Sequence, residues 1–208
     1  MTVGACSSCW SIRLSRPRPF EPPLGAVPPE SDYGVDWHEK AIDRRHDRKA
    51  FDCGIPELNT YLDRYARQNH ASGGAKTFVA VPPEQPNHIL GYYTISPGSI
   101  AFAHVPAEIT RRLGHYDVPI FRLGRLAVDL TIQRQGLGGE LLLAAGERAL
   151  AVATEVGGVA LAIDAKDEAA ARWYGRFGAL PLLDDPRKLV LPLSAIAEAL
   201  KSTGKTRS

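Results

Sequence analysis

Long apolar runs are missing from this 208-residue chain. None approaches the roughly 20 residues that a membrane-spanning helix needs. The first residues also lack the continuous apolar core of a secretory signal, so no membrane association and a cytoplasmic location are expected. Cysteine is scarce, with only Cys6, Cys9 and Cys53. So few thiols argue against a disulfide-built scaffold and suit a reducing compartment. Cys6 and Cys9 have the spacing of half a zinc site, but no second pair completes the four ligands of structural zinc. No metal is therefore expected. An excess of one charge is absent too: 25 Lys and Arg stand against 23 Asp and Glu, a formal net charge of +2. The total carries no strong field for nucleic acid or anionic membrane.

What is present reads as one soluble α/β domain with extra chain at each end. The composition, 44% hydrophobic and 23% charged, is ordinary for a globular protein. Residues 1–35 form a proline-rich leader, with Pro17, Pro19, Pro22, Pro23, Pro28 and Pro29 crowding a stretch without apolar periodicity; it should be extended or disordered. Folded patterning covers residues 36–200, and 201–208 is a polar tail. The spacing of Leu58, Tyr61, Leu62 and Tyr65 predicts a helix over 56–69. Strands are predicted over 77–81, 89–96, 120–129, 159–164 and 189–193. Helices are predicted over 106–113, 138–156 and 167–177, with another from Ser194. The longest should bury Leu141, Leu142, Ala145, Ala149, Val152 and Val156. This order describes a mixed sheet, not a doubly wound parallel one. Trp37, Phe78 and Trp173 read as core.

The segment with the clearest chemistry is Gln133-Arg134-Gln135-Gly136-Leu137-Gly138-Gly139, between a predicted strand and a predicted helix. Glycines let the backbone turn there. The first amides of the helix have no partner within it and carry partial positive charge. Such a turn suits a pyrophosphate or serves plain geometry. No Gly-Lys-Ser/Thr follows, so it is not a P-loop, and it is a poor dinucleotide fingerprint.

Gln133-x-x-Gly136-x-Gly138 resembles the acyl-CoA signature of the GNAT acetyltransferase superfamily. A second match, Ala171-Arg172-Trp173-Tyr174-Gly175-Arg176-Phe177-Gly178, is similar to that family's tyrosine-bearing segment. The resemblance implies a GNAT fold, a mixed and mostly antiparallel central sheet flanked by helices, with acetyl-CoA as co-substrate. It implies that the backbone of Leu126, Ala127 and Val128 pairs with the pantetheine arm, and that the loop from Gln133 to Gly139 holds the pyrophosphate. An amide near Val128 would polarise the acetyl carbonyl, and Tyr174 would protonate the departing thiolate. Asp167 stands where many family members carry Asn.

A narrower resemblance runs through Phe51-Asp52-Cys53-Gly54, Gly91-Tyr92-Tyr93-Thr94-Ile95-Ser96, Leu123-Gly124-Arg125-Leu126-Ala127-Val128-Asp129 and Ile163-Asp164-Ala165-Lys166-Asp167. Together these are similar to the TacT/AtaT/ItaT type of tRNA-acetylating toxin, in which Asp also occurs at the position of Asp167. This implies acetylation of the α-amino group of an aminoacyl-tRNA, inhibition of translation, a ribbon-helix-helix antitoxin as partner, and a homodimer. Arg125 is the first candidate for tRNA contact, followed by Arg122, Arg48 and Lys49. The motifs leave two other readings open: a GNAT enzyme for a small amine or protein N-terminus, and a catalytically silent module that binds CoA or a partner.

Overall fold

The computed structural model describes residues 35–202; Cys6, Cys9, nearly all of the proline-rich leader and residues 203–208 lie outside the described residues. Seven strands make one sheet: β1 (His38–Ala41), β2 (Lys76–Val81), β3 (Gly91–Ile100), β4 (Val118–Val128), β5 (Ala160–Asp164), β6 (Leu180–Pro181) and β7 (Lys188–Pro192). Their spatial order is β1-β2-β3-β4-β5-β7-β6. Every neighbouring pair is antiparallel except β4 with β5. The mixed, mostly antiparallel sheet expected from the sequence is present.

Helices α4 (Leu137–Val156), α5 (Glu168–Gly175) and α6 (Leu193–Ser202) cover one face. Leu141, Leu142, Ala145 and Ile196 pack there on Tyr93, Phe121, Leu123 and Leu161. Burying a leucine such as Leu141 contributes roughly 1.5–3 kcal/mol relative to leaving it in water. The other face divides in two. Over its β1–β3 half lies a helical rod made of α1 (Pro56–Thr60), a π-helical turn (Tyr61–Tyr65) and α2 (Ala66–Ser72), seated on Val79, Val81, Tyr92 and Ala127. Over the other half, Val105, Val118, Ile120, Ala162 and Val190 form a smaller cluster beside α3 (Ala107–Thr110).

Several elements depart from the sequence reading. Strand β1 has the charged sequence His-Glu-Lys-Ala and gives no alternating signal, yet it pairs with β2 as an edge. Strand β3 runs on through Pro97 to Ile100. Beyond Ile95 it has lost β2 as a neighbour, and proline is tolerated on such an edge. The π turn inserts extra chain into the first rod, so Ala66 takes the buried place expected of Tyr65, which is 52% exposed. Helix α4 outruns the sheet: its apolar face ends near Ala149, and Val152 and Val156 face solvent.

One irregularity in β4 shapes the end of the strand. Ile95 pairs with Leu123 and Thr94 with Arg125, so Gly124 is an extra residue, a β-bulge. Side chains alternate along a strand, and one added residue reverses that alternation. Phe121 and Leu123 face the main core, and so do Leu126 and Val128 beyond the bulge. Without Gly124, Arg125 would point into that core.

Candidate active site

Strands β4 and β5 are paired only from Ile120 with Ala160 to Leu123 with Ile163. Past the bulge β4 stays with β3 but leaves β5, and a wedge opens along residues 124–128. The backbone shows which groups line it. The Asp129 amide donates to the Leu90 carbonyl at 2.9 Å, and the Ala127 carbonyl lies so close to Gly91 that a Cβ there would stand 2.9 Å from it. Those groups point to β3, so the alternate amides of Leu126 and Val128 project into the wedge. Gly91 is fixed by this approach: any side chain would also meet Leu141 at 2.8 Å.

The loop after β4 supplies a second set of donors. Gly136 caps α4 with φ +91°, a left-handed conformation that glycine adopts without Cβ strain. Among the described residues, the amides of Gly136, Leu137 and Gly138 have no acceptor, whereas Gly139 bonds the Gly136 carbonyl at 2.9 Å. Three free amides at the positive end of a 20-residue helix favour a phosphate. Arg134 also has positive φ, at 67°, and is exposed on the same loop with Gln135. Trp173 of α5 and Phe177 just after it pack beside this turn. A Cβ on Gly138 would lie 3.7 Å from Trp173, and one on Gly139 would lie 3.2 Å from Phe177. Free amides, an unpaired strand edge and glycines that keep the approach open fit an acyl-CoA.

The loop is braced from below. The Gln133 side-chain amide donates to the Val128 carbonyl at 3.0 Å and to the Cys53 carbonyl at 3.1 Å. This glutamine therefore holds the strand end, while the free donors of the loop are backbone groups. Buried Asp129 accepts from the Asp52 amide at 3.0 Å and from the Thr131 amide and hydroxyl at 3.0 and 2.7 Å. Burial works to raise the Asp129 pKa, but these donors outweigh it and hold the carboxyl below its ordinary value. On the other side, the Trp37 indole donates to Glu140 in the first turn of α4.

Tyr174 lies on α5, directly after β5, with its ring against Trp173 at 4.8 Å. Asp167 caps this helix, accepting from the Ala170 amide at 2.7 Å. Tyr174 is half-buried, and its hydroxyl has no hydrogen-bond partner among the described residues. Burial pushes its pKa up to about 12. The phenol thus stays protonated at neutral pH, as a proton donor must.

The four candidate cations are placed differently. Arg125, on β4, packs its side chain against the π turn, its guanidinium carbon 3.6 Å from the centroid of the Tyr61 ring. Arg122 pairs with Asp164 across β4 and β5 at 2.7 Å. Arg48 is half-buried, and its Nη1 donates at 2.7 Å to the Asp63 carbonyl of the π turn. Lys49 is exposed, and no ion pair engages it among the described residues. The bracing roles of Asp52, Asn59 and Tyr61 have no local signal, because only the folded backbone brings residues 52–61 against 125–133. Asn59 donates to Asp52 at 2.7 Å and accepts from the Cys53 amide at 3.0 Å.

No family model matches the chain. Comparison with individual proteins is decisive. Over 152 residues, 73% of this chain and 89% of the other, the sequence is 33% identical to the tRNA-acetylating toxin of Mycobacterium tuberculosis. The crystal structure of a tyrosine-to-phenylalanine mutant of KacT superposes with a TM-score of 0.74 at 26% identity, covering 79% of this chain and 99% of that one. AtaT complexed with acetyl-methionyl-tRNAfMet superposes with a TM-score of 0.73 at 25% identity, with the same coverage. The AtaT–AtaR toxin–antitoxin pair has also been solved with acetyl-CoA. The wedge, the amide-lined turn and the half-buried tyrosine are thus features of a chain that belongs to the TacT/AtaT type of tRNA-acetylating toxin, within the GNAT acetyltransferases.

Proposed function

We propose that this protein transfers acetyl from acetyl-CoA to the α-amino group of an aminoacyl-tRNA and thereby blocks translation. The observation that carries the acyl-CoA part is the wedge beside β4, whose free amides at Leu126 and Val128 stand next to the free amides of Gly136–Gly138. The acceptor follows from kinship with the tRNA-acetylating toxin and with AtaT, solved on acetylated methionyl-tRNA.

The residues divide the work. Leu126 and Val128 hold the pantetheine arm along the open strand edge, and one of their amides polarises the acetyl carbonyl. The free amides of Gly136, Leu137 and Gly138 hold the pyrophosphate. Bound there, acetyl-CoA supplies an activated acyl group. The acceptor α-amine titrates near pH 7.7–8.0, so a useful fraction is already neutral at pH 7 and a dedicated base is not required. Tyr174 gives its proton to the leaving thiolate. Arg125, Arg122 and Lys49 supply positive charge to the tRNA.

The partner is a ribbon-helix-helix antitoxin, and the active unit is a homodimer; AtaT solved bound to the antitoxin AtaR supports an antitoxin as partner. Among the described residues no helix is long and apolar enough to cross a membrane. The work is cytoplasmic, where charged tRNA is found. Purified protein incubated with labelled acetyl-CoA should label aminoacylated tRNA and leave deacylated tRNA unlabelled. Label confined to free amines or peptides would contradict this function.

A further inference from the structure

A cavity of about 640 Å³ lies against the half of the sheet opposite α4 and α5, apart from the amides and the tyrosine that serve acetyl-CoA. Its floor includes Ala162, and Ile100 and Leu182 close its sides. Its rim carries the Arg122–Asp164 pair. The volume falls within the usual range for a small-molecule site.

Its position gives it meaning. The last paired residues of β4 and β5 are Leu123 and Ile163. Asp164 is the next residue, the first of β5 to stand inside the opening wedge. Side chains alternate, so Asp164 shares the cavity face with Ala162, while Ile163 points into the main core. A thioester laid along Leu126 and Val128 has α4 and α5 on its other side. An incoming amine must therefore arrive from the cavity face, past Asp164.

The carboxylate is in a replaceable pairing. Arg122 and Asp164 side chains are 44% and 57% exposed, and exposed pairs of this kind contribute little net stability. Lys188 stands directly opposite Asp164 in β7. Of the three carboxylates lining the cavity, Asp184 pairs with His104 at 3.3 Å and Asp185 with Arg187 at 4.0 Å, on the wall away from β4. Asp164 is the one beside the open edge of β4, between Arg122 and Lys188.

We propose that this cavity receives the aminoacyl end of the tRNA, with Asp164 exchanging Arg122 for the substrate's α-ammonium and the apolar floor taking the amino-acid side chain. The inference rests on the proposed acetylation of aminoacyl-tRNA and adds to it a residue that selects the acceptor. Asp164 is a positioning residue: it draws the ammonium to the wedge, and the amine attacks after losing its proton to water. Arg122, once released, and Lys188 face the terminal phosphates.

The test compares two ligands, titrated as inhibitors of charged-tRNA binding in the absence of acetyl-CoA so that neither is turned over: an aminoacyl-tRNA analogue with a stable amide link at its 3′ end, and the matching α-hydroxyacyl-tRNA, which carries hydroxyl in place of the amine. The wild type should bind the amine form about tenfold more tightly. Asp164→Asn should bind both equally, with an acetyl-CoA Kd unchanged from wild type, and Asp164→Glu should restore part of the preference. If Asp164 only clamps β4 to β5, Asp164→Asn will lower thermal stability yet keep the full preference, and the inference fails. A wild type that acetylates charged tRNA but never distinguishes the inhibitors also overturns it. A wild type that acetylates no charged tRNA overturns the proposed function instead.

Discussion

The guanidinium carbon of Arg125 sits 3.6 Å from the ring centroid of Tyr61, which itself stacks on Tyr92 at 6.4 Å. The bulge at Gly124 sets the direction of the arginine, and the π turn sets the position of the tyrosine. Arg125 thereby stands on the acceptor face, three residues before Val128. A guanidinium over an aromatic ring adds about 0.5–1 kcal/mol at exposed sites, and its fork suits phosphate better than ammonium does. Arg125→Ala should raise the KM for charged tRNA by roughly tenfold and reduce the salt dependence of binding by about one charge. Arg125→Lys should recover only part of this. Filter binding across a salt series reads the effect, and acetyl-CoA affinity should not move.

Replacement of Tyr174 by Phe removes one hydroxyl from a packed ring, so folding should be retained. The loss belongs in kcat, by roughly 10²-fold or more, with the acetyl-CoA KM unchanged. Because burial holds this phenol protonated to about pH 12, wild-type kcat/KM should rise from pH 6 to 8 as the substrate amine deprotonates. It should show no descending limb from tyrosine below pH 10. A stopped-time assay over pH 6–10 checks both statements.

Gly136 and Gly138 separate conformation from space. Gly136→Ala places a methyl at φ +91° and should cost about 1–2 kcal/mol of stability. Gly138→Ala meets only ordinary contacts, the nearest at 3.7 Å from Trp173, and should fold as well as wild type. Its methyl, however, points between Trp173 and Val128 at the edge of the amide cradle. The KM for acetyl-CoA should rise about tenfold, or ~1.4 kcal/mol. Thermal melts paired with acetyl-CoA titration distinguish the two variants.

Asp129 predicts an acid limit. Its folded pKa is depressed below the ordinary 3.8, so its stabilising contribution is present above that value and is lost as pH falls through the folded pKa. The wild-type Tm should therefore drop steeply below about pH 4. Asp129→Asn sets an amide donor against donors and should cost about 1–3 kcal/mol at neutral pH. Its Tm should depend less on pH in the acid range. Melts from pH 3 to 7 supply the comparison.

The parts of this site that are legible in the sequence share a cause. Gly136, Gly138 and Tyr174 lie on one contiguous strand–turn–helix–strand–helix stretch, where periodicity and glycine placement speak directly. What stays hidden depends on register or on distant pairing. Nothing local marks Gly124 as an extra residue, and the π turn that exposes Tyr65 carries no Gly or Pro signal. Arg48 looks like any basic connector until its guanidinium is found on the Asp63 carbonyl. Asp164 reads as a strand end; only the parting of β4 from β5 places it at the mouth of a cavity. Strand β1, four largely polar residues at an edge, holds by pairing and not by pattern.

The most direct test of aminoacyl-tRNA acetylation is the chemical form of the product. Total tRNA charged with amino acids is incubated with the protein and acetyl-CoA, digested with a nuclease that releases the 3′-terminal adenosine, and analysed by mass spectrometry. The expected product is aminoacyl-adenosine carrying one acetyl group on the α-nitrogen, formed by wild type and strongly reduced with Tyr174→Phe. Unmodified aminoacyl-adenosine, with acetyl groups found only on protein amines or free small amines, would contradict it.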